Sequence, residues 1–190
     1  MLVAHRLEVT PLRRRELLGS VAAATTAATA GCNSLGNALT GGDDDPEPVT
    51  VETIDAPGSR AGSTVVPEPG RVTFVEFFAT TCPICASQMS VVDDAYGRVG
   101  EEVQFLSVTS EPVGLTVSTE KVASWWAHHD GSWPVGVDDG VALARKYGAT
   151  SIPTAVVAAP DGTVTWSHTG RATASRIVAE IRAAGGDSAP

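Results

Sequence analysis

Two cysteines, Cys82 and Cys85, end the run VTFVEFFATTCPIC (Val72 to Cys85), and a carboxylate, Glu76, interrupts its apolar part. Two thiols at this spacing can exchange with a disulfide, form half of a zinc site, or close a short structural staple. Zinc needs two further ligands, and the histidine candidates, His128, His129 and His168, lack a metal-binding spacing. A staple across so short a loop stabilises little, because the entropic gain grows with loop length. Redox exchange asks only for one sulfur that ionises readily and a second that displaces the intermediate.

Position along the chain favours redox exchange. Val72 to Phe78 is a continuous apolar run, as in a strand covered on both faces. Pro83 to about Tyr96 reads as a helix with Met89, Val92 and Tyr96 on one face. Cys82 then falls at or near the N-cap, and Pro83 at the first helical position, which tolerates proline. Free amides and the positive end of the helix dipole stabilise a thiolate there. Cys82 is thus the expected attacking sulfur and Cys85, one turn further in, the resolving one. Glu76, if buried without a partner, has its pKa raised by desolvation and can relay a proton from the inner sulfur near neutral pH. The alternative is a side chain that reaches solvent or a neighbouring cation.

The remaining elements follow the same logic. VQFLSVT (Val103 to Thr109) is a second apolar strand, and Ser118 can cap a helix that runs to about His129. Asp138 or Asp139 can start another, ending at Arg145, Lys146 and Gly148, since cations and glycine suit a helix C-terminus. Thr154 to Ala159 is a third strand, and Asp161-Gly162 is a tight-turn signal joining it to TVTWSHT as an antiparallel hairpin. A last helix spans about Thr173 to Ala184. The order β-α-β-α-α-β-β-α predicts an α/β fold: a central mixed sheet with helices on both faces and its first two strands parallel.

FFATTCPIC, followed about 70 residues later by SIPT, resembles the thioredoxin superfamily, and WPVGVDDGVALARKYGATSIPTAVVAAPDGTV resembles its TlpA-like, membrane-tethered extracytoplasmic branch. The likeness covers roughly Ser63 to Gly185. It implies a thioredoxin-like fold and a redox-active Cys82–Cys85 disulfide, with no separate cofactor and no metal. It also implies a cis Ile152–Pro153 bond beside the pair and a substrate surface drawn from Ile152, Pro153, Thr81, Pro83 and Ile84. The implied activity is that of a thiol:disulfide oxidoreductase, a monomer that reduces disulfides in partner proteins with electrons from a membrane thiol donor, as in cytochrome c maturation. Thioredoxins keep a buried acid six residues before the first cysteine, which is the place of Glu76.

Two departures matter. Thr81 stands where the family usually has Trp, so an aromatic wall falls to Trp125, Trp126, Trp133 or Trp166 or is absent. Pro83-Ile84 is neither the thioredoxin Gly-Pro nor a strong oxidase signature, which leaves the direction of electron flow open. The rival readings are a disulfide-introducing oxidase and a copper carrier resembling SCO-type chaperones, which space their cysteines one residue wider. No Pro-x-x-x-Thr-x-x-Cys pattern surrounds Cys82, which disfavours a peroxidase.

Upstream, RRRELLGS, with Arg14 and Arg15, resembles a twin-arginine export signal, and TAGC (Thr29 to Cys32) resembles a lipobox with Cys32 as the lipidated residue. The weakly apolar run Leu17 to Ala30 has 14 residues, short of the ~20 that a spanning helix needs. A removable signal is therefore expected over 1–31, a flexible acidic tether over 32–60, and the globular domain over 61–186. That places the domain on the outer face of the cell membrane, or in the medium if Cys32 carries no lipid. Net charge is −9; the first 31 residues hold four arginines against Glu8 and Glu16, leaving −11 for the rest, whose only lysines are Lys121 and Lys146. Such a surface suits high salt and offers nucleic acid no basic patch. Lipid on Cys32 predicts that the protein enters the detergent phase on phase separation and that Cys32→Ala stays in the aqueous phase; detergent partition by that variant would refute lipidation.

Overall fold

All six residues of strand β3 (Thr73–Phe78) are buried, as a continuous apolar run requires. The computed structural model describes residues 47–185, so the export signal, Cys32 and the tether up to residue 46 lie outside the described residues. Before β3 come β1 (Val49–Thr53) and β2 (Gly62–Val66); after it come α1 (Pro83–Tyr96), β4 (Gln104–Thr109), α2 (Thr119–His128) and β5 (Val135–Val137). The chain continues with α3 (Ala142–Lys146), β6 (Thr154–Ala158), β7 (Val164–Thr169) and α4 (Ala174–Ala183).

Side chains alternate across a strand, so β3 feeds two cores. Phe74 and Phe78 cluster with Phe105 and Val157, with Cys85, Met89 and Val92 of α1, with Val122 and Trp126 of α2, and with Ile177 and Ile181 of α4. Val75 and Phe77 point the other way, into a cluster with Leu106, Val108 and Val156, with Leu143 and Ala144 of α3, and with Tyr147. Helices therefore cover both faces of a mixed sheet in the order β2-β1-β5-β4-β3-β6-β7. Strands β3, β4 and β5 run parallel, whereas β6 lies antiparallel to β3 and β7 to β6. The expected parallel first pair and C-terminal hairpin are both present; Gly162 takes φ 87° in the turn between β6 and β7, where a side chain would be strained.

Two expectations change. The tether does not extend to residue 60, because Val49–Thr53 is β1, which pairs with both β2 and β5. The helix expected from Asp138 is split into a 3₁₀ turn, Asp139–Val141, and α3, with positive φ at Gly140 and Val141. Asp138 still serves its start: its carboxylate oxygens accept hydrogen bonds from the Leu143 and Ala144 amides at 2.9 and 2.8 Å, satisfying two donors that a helix start leaves free. Ser118 and Thr173 cap α2 and α4, accepting from the Lys121 and Arg176 amides.

Strand β1 reaches β5 through a gap. A Cβ built on Gly136 would lie 2.7 Å from Val51 Cγ1 and 2.8 Å from the Glu52 carbonyl oxygen, so β1 closes onto β5 only because that residue has no side chain. Gly136→Val is expected to destabilise by roughly 1–3 kcal/mol as an overpacked site, read as a lower urea midpoint.

Candidate active site

Strand β3 runs out at Phe78, and a turn closed by the Cys82 amide donating to the Ala79 carbonyl, 3.1 Å, brings the chain to the start of α1. Cys82 is the N-cap residue, in extended conformation, with Pro83 in the first turn and no acidic residue there. Its Sγ accepts the Cys85 amide at 3.1 Å, as a capping oxygen would. The two cysteines form a disulfide across Cα atoms 5.2 Å apart. Their exposures differ: Cys82 is half-buried and Cys85 is 2% exposed. An incoming sulfur can reach the first and not the second, and in the reduced state the helix start favours the Cys82 thiolate.

A residue the sequence did not single out holds this junction. Glu111, just past β4, accepts from the Thr80 amide at 2.8 Å and the Thr80 hydroxyl at 2.9 Å, and Thr109 Oγ1 donates to it at 3.0 Å. The carboxylate thereby fastens the segment immediately before Thr81 and Cys82 to the end of the neighbouring strand.

Glu76 sits mid-strand and is 3% exposed. It shares the face of Phe74 and Phe78, hence of Cys85, and stands in register between Ser107 of β4 and Ala155 of β6. Burial pushes its pKa up from 4.5 to about 8, opposed by a hydrogen bond from the Ser107 side chain. A carboxyl poised near neutrality can both accept and return a proton there. The expected alternative, a side chain that reaches solvent, does not occur.

Pro153 is buried after a cis Ile152–Pro153 bond, one residue beyond the Thr154–Phe77 pair, so it lies across from the end of β3. Ile152 is 41% exposed and Ile84 is 52% exposed; like the exposed Thr81 and Pro83, they lie at the end of the sheet where β3 runs out and β6 begins. The backbone groups of Ile152 make no hydrogen bond among the described residues. Of the four tryptophans, Trp125 stacks on Phe78 at 5.1 Å and is half-buried, whereas Trp126 and Trp133 lie in the core and Trp166 stacks on His168 of β7. His128 and His129 touch each other at the end of α2. Among the described residues no three His, Cys, Asp or Glu side chains gather where one metal ion could be held, and no helix is long and apolar enough to cross a membrane.

The Redoxin family matches residues 55–183, more than half of the chain. The chain belongs to the Redoxin family. The thiol-disulfide oxidoreductase ResA of Halalkalibacterium halodurans is 27% identical over 109 residues, which cover 57% of this Redoxin-family chain and 59% of ResA. The match thus spans about three fifths of that relative's own length. StoA from Bacillus subtilis superposes with a TM-score of 0.60 at 19% identity, covering 71% of this chain and 96% of StoA. The exposed lipoprotein thioredoxin Etrx1 from Streptococcus pneumoniae gives 0.57 at 22% identity, covering 69% and 98%. The Redoxin-family protein therefore has a thioredoxin-like α/β fold.

The raised pKa of Glu76 has a measurable consequence. A carboxyl that holds its proton more tightly when folded than when unfolded makes stability fall as pH rises between the two pKa values. The oxidised Redoxin-family protein is expected to lose stability between about pH 5 and 8, and Glu76→Gln to flatten that decline; urea midpoints across pH test it, and equal slopes would refute a buried, proton-holding Glu76.

Proposed function

We propose that this Redoxin-family protein is a thiol:disulfide oxidoreductase that reduces disulfides in partner proteins, with the Cys82–Cys85 pair as its own electron carrier and no separate cofactor. The observation that carries this reading is the unequal sulfur pair at a helix start, Cys82 within reach and Cys85 sheltered. In the forward direction the Cys82 thiolate attacks a partner disulfide, forms a mixed disulfide and releases one partner thiolate. Cys85 then gives its proton to Glu76 and attacks Cys82 Sγ, which closes the intramolecular disulfide and releases the second partner thiolate. Two electrons leave the pair and two partner thiols form once those thiolates are protonated, one of them by Glu76. The Ile152 backbone and the exposed Ile84 and Ile152 side chains offer an extended apolar segment of the partner a place to lie against Cys82.

The setting we propose is the outer face of the cell membrane, reached by the twin-arginine route and held by lipid on Cys32, with a membrane thiol donor to reduce the pair again and cytochrome c maturation as the process served. The sequence features upstream of residue 47 and the names of ResA and of the pneumococcal exposed lipoprotein support that setting. A reduction potential near the roughly −270 mV of thioredoxin is expected, whereas one near about −120 mV would make the protein an oxidase. Cys85→Ala is expected to accumulate mixed disulfides with partner proteins through Cys82, visible on non-reducing gels and lost in the Cys82→Ser, Cys85→Ala double variant. A pair that neither titrates as a dithiol nor traps a partner would overturn the reading.

A further inference from the structure

The turn that carries the chain from β3 into α1 is tied to its surroundings by one side chain. Within the turn the Cys82 amide closes onto the Ala79 carbonyl, a pairing that leaves the amide of the second turn residue, Thr80, without a partner inside it. Glu111 supplies that partner, accepting from the Thr80 amide at 2.8 Å and from the Thr80 hydroxyl at 2.9 Å. No other side chain among the described residues bonds Ala79, Thr80 or Thr81.

The anchor is rigid at its own end. Thr109, the fully buried last residue of β4, donates its hydroxyl to the Glu111 carboxylate at 3.0 Å and accepts the Glu111 amide at 3.2 Å. Backbone and carboxylate are thus fixed to one threonine, on a strand that lies inside the sheet between β3 and β5.

We infer that Glu111 is a positioning residue for Cys82: by holding Thr80 it keeps the reduced Cys82 sulfur against the Cys85 amide at the start of α1. The inference rests on Cys82 being the attacking sulfur of the proposed exchange. Its force differs between the two redox states. In the oxidised protein the disulfide itself joins Cys82 to Cys85, and the 3.1 Å contact of Cys82 Sγ with the Cys85 amide comes with it. On reduction that covalent tie is gone, Thr81 is exposed, and Glu111 remains as the side chain that stops the turn from carrying the sulfur off the helix start. A thiolate away from those amides loses their stabilisation, so the hold of Glu111 favours the reduced state. Its charge acts the other way, since a carboxylate near a thiolate disfavours it. The two effects separate chemically. Glu111→Gln removes the charge, yet its side-chain carbonyl can still accept the Thr80 amide and its NH2 can donate to the Thr80 hydroxyl. Glu111→Ala removes both charge and bonds.

The difference between those two variants is therefore the test. Equilibrated with a glutathione redox buffer, Glu111→Ala is expected to favour reduction about tenfold less than Glu111→Gln, a potential about 30 mV more negative, and to attack oxidised glutathione through Cys82 about tenfold more slowly. A side chain that only stabilises the fold would lower the urea midpoint of Glu111→Ala but leave potential and attack rate equal in the two variants, and that equality would overturn the positioning role. The unmodified reduced protein offers a check that needs no variant. Its Thr80 and Cys85 amides are expected to be protected from hydrogen exchange together; a Thr80 amide that exchanges freely beside a protected Cys85 amide would also overturn the role. If alkylation and mass mapping show that Cys82 is not the reactive sulfur of the unmodified protein, the proposed exchange fails and the positioning role with it. A reactive Cys82 with indistinguishable Glu111→Gln and Glu111→Ala variants overturns the positioning role alone.

Discussion

A carboxyl group in the middle of a fully buried strand is the constraint around which the molecule is arranged. Strand β3 must be covered on both faces to be stable, and the side chain at its centre is one that water would otherwise solvate. Among the described residues no cation stands against Glu76, and burial, opposed by the Ser107 hydroxyl, raises its pKa. A lysine or arginine beside it would have fixed the carboxylate as permanently charged. A hydroxyl leaves both protonation states within reach, which is what the proton relay proposed for Glu76 requires.

The second consequence of that strand is where it delivers the chain. Its last residue, Phe78, is clamped by Trp125 and Trp126, and four residues later the backbone enters α1 at Cys82. The Glu111 carboxylate fixes the intervening Thr80 from the neighbouring strand. The sulfur is thus placed by a short segment tied at both ends, while the helix start supplies the amide that meets it. Thr81, lacking the large ring usual before the first cysteine of such pairs, contributes exposed surface instead of a wall, and the aromatic mass lies one layer deeper.

Much of this was legible in the sequence because the signals are local. The Cys-Pro-Ile-Cys spacing, the proline in the first turn of α1 and the cap at Ser118 all act within a few residues, and the Asp-Gly turn marks the hairpin. What was missed is non-local or weak. Strand β1 buries one side chain fully, Val51, and β5 is three residues built around a glycine, so neither has the periodicity that marks an element. Glu111 lies 31 residues from Thr80, which it holds, and Ser107 lies 31 residues from its register partner Glu76; in the sequence one looks like a loop charge and the other like a small residue in an apolar run. Only the parallel pairing of β3 with β4 makes them partners, and no single window of sequence contains it.

The unequal burial of the two sulfurs reaches beyond one exchange. Because Cys82 is within reach and Cys85 is sheltered, every bond to another molecule in the proposed exchange, whether to take electrons or to give them, passes through the same sulfur atom. A donor and an acceptor cannot be bonded to that atom together. The electron flow proposed for this fold is then ping-pong in kind, with donor and acceptor taking turns at Cys82, and its throughput depends on how quickly each leaves.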